Sequence, residues 1–107
     1  MSSEKSSKAY RRLVKALTSG NIWLYVLKLL SEKPMYGYEI IHSIKNRFKI
    51  NVNTVTAYVV LYKLASEKLI EAMERNGKKY YEITARGRSE LKNGIDFLEH
   101  ILDIVKP

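Results

Sequence analysis

No cysteine occurs among the 107 residues, which excludes disulfides and thiolate-bound metals and is compatible with a reducing compartment. No uninterrupted apolar run approaches the roughly 18 residues that cross a bilayer. The opening Met1-Ser2-Ser3-Glu4-Lys5-Ser6-Ser7 has no apolar core of the kind a secretory leader carries, so a soluble, cytoplasmic protein is expected. Histidines number two, and no nucleophile motif or phosphate-cradling glycine loop is present. No enzyme, cofactor or metal centre is therefore expected. Glu39 and His42 do form one Glu-x-x-His pair, but a carboxylate-bridged metal site needs two such pairs converging with further glutamates, and the chain has no second pair. Internal repeats and low-complexity tracts are absent beyond the serine-rich start.

What is present is a single small domain. Hydrophobic residues make up 46% of the chain, too many for a disordered polymer, and the length allows a modest core. The net charge of +8 is unevenly placed: residues 1–20 carry +4, residues 75–88 another +4, and residues 89–107 carry −2. A lysine-rich solubilising surface would explain the total but not the unevenness. Two basic regions and one acidic one are expected if one side of the protein meets phosphates and another does not.

Residues 1–7 read as a flexible, basic and serine-rich arm. Tyr10, Leu13, Val14 and Leu17 then fall at helical spacing and predict a short amphipathic helix over 8–17. Residues 22–31, with Trp23, Leu24, Val26, Leu27, Leu29 and Leu30, are apolar nearly all round and predict a central buried helix, stopped at Glu32-Lys33-Pro34. A third helix is expected over 35–48 and a fourth over 54–68, the latter capped by Asn53. Residues 69–74 and 79–83 flank Asn76-Gly77, a pair whose tolerance of positive φ suits a type I′ hairpin turn. Thr84 can cap a last helix reaching about residue 105, along which Leu91, Ile95, Leu98, Leu102 and Val105 repeat at the spacing of a coiled-coil seam.

Helix, helix, hairpin in this order spells a winged helix-turn-helix: a mainly α fold with a small β-hairpin, an added N-terminal helix and a long C-terminal helix. The fourth helix has more apolar positions than one buried stripe needs. With Ala57, Val60 or Leu61, and Leu64 inward, Thr54, Thr56, Tyr58, Val59, Tyr62 and Lys63 lie nearer the outside. Val59 and Tyr62 are suited to thymine methyls, and Asn53, Thr54 and Thr56 to base edges or phosphates at the positive end of the helix. Arg75, Lys78 and Lys79 flank the wing tip, where they can reach the DNA backbone. Arg86 and Arg88 near the start of the last helix oppose its dipole, a placement that a phosphate contact would explain. Tyr36, Tyr38 and Tyr81 read as packing residues. Asp96, Glu99, His100 and Asp103 read as a solvated acidic face.

Three segments together resemble the PadR family of winged-helix transcriptional regulators. They are Leu29-Leu30-Ser31-Glu32-Lys33-Pro34-Met35-Tyr36-Gly37-Tyr38-Glu39-Ile40, then Tyr58-Val59-Val60-Leu61-Tyr62-Lys63-Leu64 leading into Leu69-Ile70, and Lys79-Tyr80-Tyr81-Glu82-Ile83-Thr84-Ala85-Arg86-Gly87-Arg88. The resemblance implies a DNA-binding regulator. It also predicts glycine where Lys68 stands, so a different helix exit is expected there. A large sensory domain is not expected, and no residue pattern supports a small-molecule effector site.

The resulting expectation is a winged-helix DNA-binding domain over 8–88 and a dimerisation helix over 89–107. The protein would act as a homodimeric, nucleoid-associated repressor on an inverted-repeat operator in double-stranded DNA. Leu13, Leu17, Leu91, Ile95, Leu98, Ile101, Leu102 and Val105 are the expected dimer contacts. The competing reading is a winged-helix module that docks a protein through its exposed helix face.

Overall fold

Burial of one helix organises the rest. In α2 (Ile22–Glu32), Ile22, Val26, Leu27, Leu29 and Leu30 are all buried, so this helix needs neighbours on several sides. In the computed structural model, which describes residues 7–107, those neighbours are α3 (Gly37–Asn46), α4 (Thr54–Ser66) and α5 (Ala85–Val105). Ile40, Ile41 and Ile44 of α3 and Ala57, Leu61 and Leu64 of α4 complete the core with Ile50, Val52, Leu69 and Ile70. Each such aliphatic side chain contributes roughly 1.5–3 kcal/mol by leaving water. The expected arm lies outside the described residues except for Ser7, whose hydroxyl caps α1 (Lys8–Leu17) by accepting from Tyr10 N at 3.0 Å.

Lys8–Glu32 together is long and apolar enough to pass as a membrane span by composition, containing an 18-residue window with a mean hydropathy of 1.2. The run is not one straight helix. It bends at Thr18 (φ −119°, ψ −97°) through a single 3-10 turn, Ser19–Asn21, and the apolar residues of α2 already form the domain core.

Two elements differ from the sequence expectation. Met35–Tyr36 is not the start of a helix but a short strand, β1, so the sheet has three strands rather than a lone hairpin. Lys33 is extended (φ −169°, ψ 157°) ahead of Pro34, and the chain keeps that conformation until Tyr36. Met35 then pairs with Tyr81 and Tyr36 with Tyr80. The second difference is Lys68. α4 ends at Ser66, and Lys68 adopts φ +64°, the left-handed conformation in which glycine is free and lysine is strained. The helix exit is thus the one a glycine would give, taken by a lysine.

The wing is β2 (Ile70–Arg75) and β3 (Lys78–Ile83), in register from Ile70↔Ile83 to Arg75↔Lys78. Asn76 (φ +54°) and Gly77 (φ +74°) form the two-residue loop, as a type I′ turn requires. At the base of the wing, Thr84 starts α5. Its oxygen accepts from Gly87 N at 3.0 Å, its hydroxyl lies 2.7 Å from Lys68 O and 3.0 Å from Leu69 O, and its backbone N–H donates to Leu69 O at 3.1 Å. Gly87 is needed for this docking, because a Cβ there would lie 2.0 Å from Leu69 O.

Glu32 joins the ends of α2 and α3. Arg47 grips its carboxylate with two bonds of 2.6 and 2.9 Å, and Lys28 approaches to 3.2 Å. Arg47 first, and Lys28 second, hold the Glu32 pKa down from 4.5 to about 2.

The first turns of α5 pack within the chain: Leu91 joins the core, and Gly94 sits close to Leu24 and Trp23. Leu91 therefore belongs to this chain's own interior rather than to a free seam. Leu98 is half-buried, whereas Ile95, Phe97, Ile101, Leu102, Ile104 and Val105 are exposed. No residue of α1 is buried, and its Leu13, Val14 and Leu17 are exposed as well.

Candidate nucleic-acid interface

α3 and α4 form a helix-turn-helix, and the second helix presents its outer face freely. Asn53 Oδ1 caps α4 by accepting from Val55 N at 2.8 Å and Thr56 N at 3.3 Å, which satisfies two of the amides that a helix start leaves unpaired. Thr54 Oγ1 accepts from Lys45 Nζ of α3 at 3.2 Å. Of the three residues expected to offer polar groups to DNA at the helix start, Asn53 and Thr54 are partly engaged inside the protein.

With successive residues turning about 100°, the inward positions Ala57, Leu61 and Leu64 put Val55, Val59 and Tyr62 on the opposite crest. All three are exposed: Val55 by 72%, Val59 by 45% and Tyr62 by 71%. Val55 was not among the residues expected at the site. Its signal was available in the sequence, since it stands four residues before Val59 and seven before Tyr62, in antiphase to the core positions.

The two flanks of the crest differ. Toward the wing, a groove of about 540 Å³ brings together Tyr38, Tyr58, Tyr62, Lys78, Lys79 and Tyr81. Tyr81 forms its buried floor, and burial, followed by the neighbouring Tyr58, pushes its phenol pKa up. Tyr58 lies against Gly37, where a Cβ would come within 2.9 Å of its ring. On the other flank, Thr56, Val60 and Lys63 face Ser19 and Trp23 across a groove of about 390 Å³. Thr56 and Lys63 thus border the crest instead of crowning it. Arg86 and Arg88 are exposed on the first turn of α5 and line neither groove.

The wing holds two of its cations over aromatic rings. The Arg75 guanidinium lies 4.2 Å from the Tyr80 centroid and Lys78 Nζ 5.2 Å from that of Tyr38. Tyr36 links these rings, edge-on to Tyr80 at 4.8 Å and stacked on Tyr38 at 5.8 Å. Such contacts restrain long side chains without neutralising them. Tyr36 and Tyr81 are packing residues as expected, but Tyr38 is exposed and belongs to the groove.

The remaining candidates are engaged elsewhere. Glu39 accepts from Tyr36 N at 2.8 Å and caps α3, while His42 Nδ1 lies 3.1 Å from Asn46 Nδ2. On the acidic face of α5, Asp96 pairs with Lys92 at 2.8 Å, and Glu99, His100 and Asp103 are exposed.

An exposed second helix beside a basic wing defines the winged helix-turn-helix class. Residues 26–93 match the family described as the transcriptional regulator PadR-like family, and the chain belongs to it. Members of this family are transcriptional regulators, not enzymes. An uncharacterized protein of Lysinibacillus sphaericus is 32% identical over 93 residues, covering 80% of this chain and 85% of that one. The structure is similar to a PadR family transcriptional regulator from Eggerthella lenta DSM 2243, with a TM-score of 0.75, 28% identity and coverage of 92% of this chain and 94% of that one. It is also similar to a PadR family transcription regulator from hypervirulent Clostridium difficile R20291, with a TM-score of 0.65, 27% identity and coverage of 78% and 96%.

Proposed function

We propose that this protein is a sequence-specific DNA-binding transcriptional repressor that works in the cytoplasm on nucleoid DNA as a homodimer. The observation that carries the reading is the α4 crest, open to solvent and bordered by Lys63 on one side and Lys78 and Lys79 on the other. A helix of this width fits the major groove, and the bordering cations then fall near the phosphates on either side. Arg75, Arg86 and Arg88 would add backbone contacts. Asn53, Thr54, Thr56, Tyr58, Val59 and Tyr62 would face the groove, with polar groups at the helix start and apolar ones beyond.

Two bodies of exposed apolar surface support a dimer. α5 leaves Ile95, Ile101, Leu102 and Val105 open, and α1 leaves Leu13 and Leu17 open. Pairing about a two-fold axis buries both at once and presents two α4 helices, which calls for an inverted repeat with half-sites about one helical turn apart or a multiple of it. Repression by occupancy then asks nothing of the protein beyond tight binding. A docking module for a protein partner is the second reading, favoured by the apolar character of the crest.

Selection of bound duplexes from a random pool, followed by filter-binding titration across salt, separates the two. A regulator recovers a shared inverted repeat and binds it far more tightly than random duplex. A protein-docking module recovers no motif and binds duplex weakly at any salt concentration.

A further inference from the structure

We infer that the α4 crest reads the C5 methyl groups of thymine, so that the half-site bases under it are specified by apolar contact and not by paired hydrogen bonds. This rests on the DNA-binding reading above and names what that surface recognises. Guanine and adenine are ordinarily read in the major groove by bidentate side chains: arginine or lysine for the first, asparagine or glutamine for the second. The crest carries none of them. Glutamine is absent from the whole chain. The nearest amide, Asn53, has its oxygen held by two backbone N–H groups at 2.8 and 3.3 Å. Ser66, one turn beyond Tyr62, donates its hydroxyl back to Tyr62 O at 3.0 Å.

What the crest does carry is Val55, Val59 and Tyr62, spaced four and three residues apart, with Val55 and Tyr62 largely exposed and Val59 nearly half so. An exposed apolar stripe on a soluble helix stands out against polar alternatives, and here both flanks are cationic. Lys45 and Lys63 lie on α3 and α4, and Lys78 and Lys79 on the wing. That charge favours a polyanion over a protein surface as the occupant. In the major groove, thymine alone among the four bases offers a methyl group, and branched or aromatic side chains are complementary to it. The valines are stiff at χ1, so the stripe is preorganised.

The test uses the intact protein and duplexes recovered from the random pool, resynthesised with deoxyuridine replacing thymine in each half-site. This removes only the methyl groups and keeps every hydrogen-bonding edge. Competition fluorescence anisotropy should show binding weakened about fourfold for each contacted methyl, the ratio that about 0.8 kcal/mol per buried CH₂ group implies. The Val55→Ala/Val59→Ala variant, whose exposed substitutions leave the core untouched, should discriminate the two duplexes less than the wild type, with the Tyr62 contact left in place and an unchanged salt slope. Equal binding of thymine and uracil duplexes by the wild type overturns the inference while leaving sequence-specific binding intact. So does a double variant that keeps the wild-type discrimination. Failure to prefer any recovered duplex over random DNA overturns the proposed function itself, and this inference with it.

Discussion

Replacing Gly87 by alanine should be among the most damaging small changes available in this protein. The added Cβ would lie 2.0 Å from the backbone oxygen of Leu69 and 2.8 Å from Ile83 Cγ1. Ordinary contact begins near 3.4 Å, so the start of α5 must move away by more than 1 Å. That movement breaks the Thr84 N–H to Leu69 O bond of 3.1 Å and the hydroxyl bridge to the same turn, at about 1 kcal/mol each. Residual crowding against a backbone atom adds about 1–3 kcal/mol. The total, about 3–5 kcal/mol, is a large share of the roughly 5–15 kcal/mol that holds a domain of this size. Thermal unfolding followed by far-ultraviolet circular dichroism should show a fall of more than about 12 °C, at 4–8 °C per kcal/mol. Gly77→Ala is the matched control. Gly77 needs its positive φ, but nothing lies within 4 Å of the new Cβ, so only the left-handed cost of about 1–2 kcal/mol applies. If Gly87→Ala is no more destabilising than Gly77→Ala, the account of how α5 docks on the wing is wrong.

Three further outcomes follow from the same geometry. Alanine at both Lys78 and Lys79 should weaken binding to every duplex and flatten the log K against log salt slope by up to about 2, at roughly 0.9 per phosphate contact; an unchanged slope removes the wing from the interface. Leu102 is 51% exposed in the protomer, so Leu102→Glu should fold normally yet sediment as a monomer, because dimerisation would bury a charge; a dimeric variant would exclude this face of α5. Glu32 has its pKa lowered from 4.5 to about 2 by Arg47 and then Lys28, so its stabilising contribution is complete above pH 4.5 and disappears as pH falls toward 2. Glu32→Gln should lose that contribution at neutral pH and show a shallower acid destabilisation over the same window, and identical acid titrations of the two proteins would contradict it.

The sequence disclosed most of this architecture through periodicity and capping. Spacing leaves Val60 or Leu61 open, and the fold buries Leu61. Ala57 and Leu64 are legible as core, and Asn53 and Thr84 as caps, because these roles are decided by neighbours within one turn. The Asn76-Gly77 hairpin was legible for the same reason. β1 was not, since a two-residue strand is created by its partner: Met35 is apolar and helically spaced, and only its pairing with Tyr81 makes it extended. Lys68 was misleading because residue type argues against φ +64° while the Leu69 docking geometry enforces it. At the site, the flank position of Thr56 depends on which face α2 covers, whereas the crest position of Val55 follows from its spacing to Val59 and Tyr62 and is a signal the sequence carries. The rings that hold Arg75 and Lys78 lie far apart in sequence or on different elements, so no local pattern announces them.

The central claim, that two α4 helices of one dimer read two half-sites together, is tested most directly by changing the half-site spacing. The recovered inverted repeat is compared with the same sequence carrying an insertion of about 5 base pairs between half-sites, which turns one half-site to the opposite face of the helix. Affinity for the inserted duplex should fall toward the value for random DNA at the same salt concentration. Equal affinity for the two duplexes would contradict it.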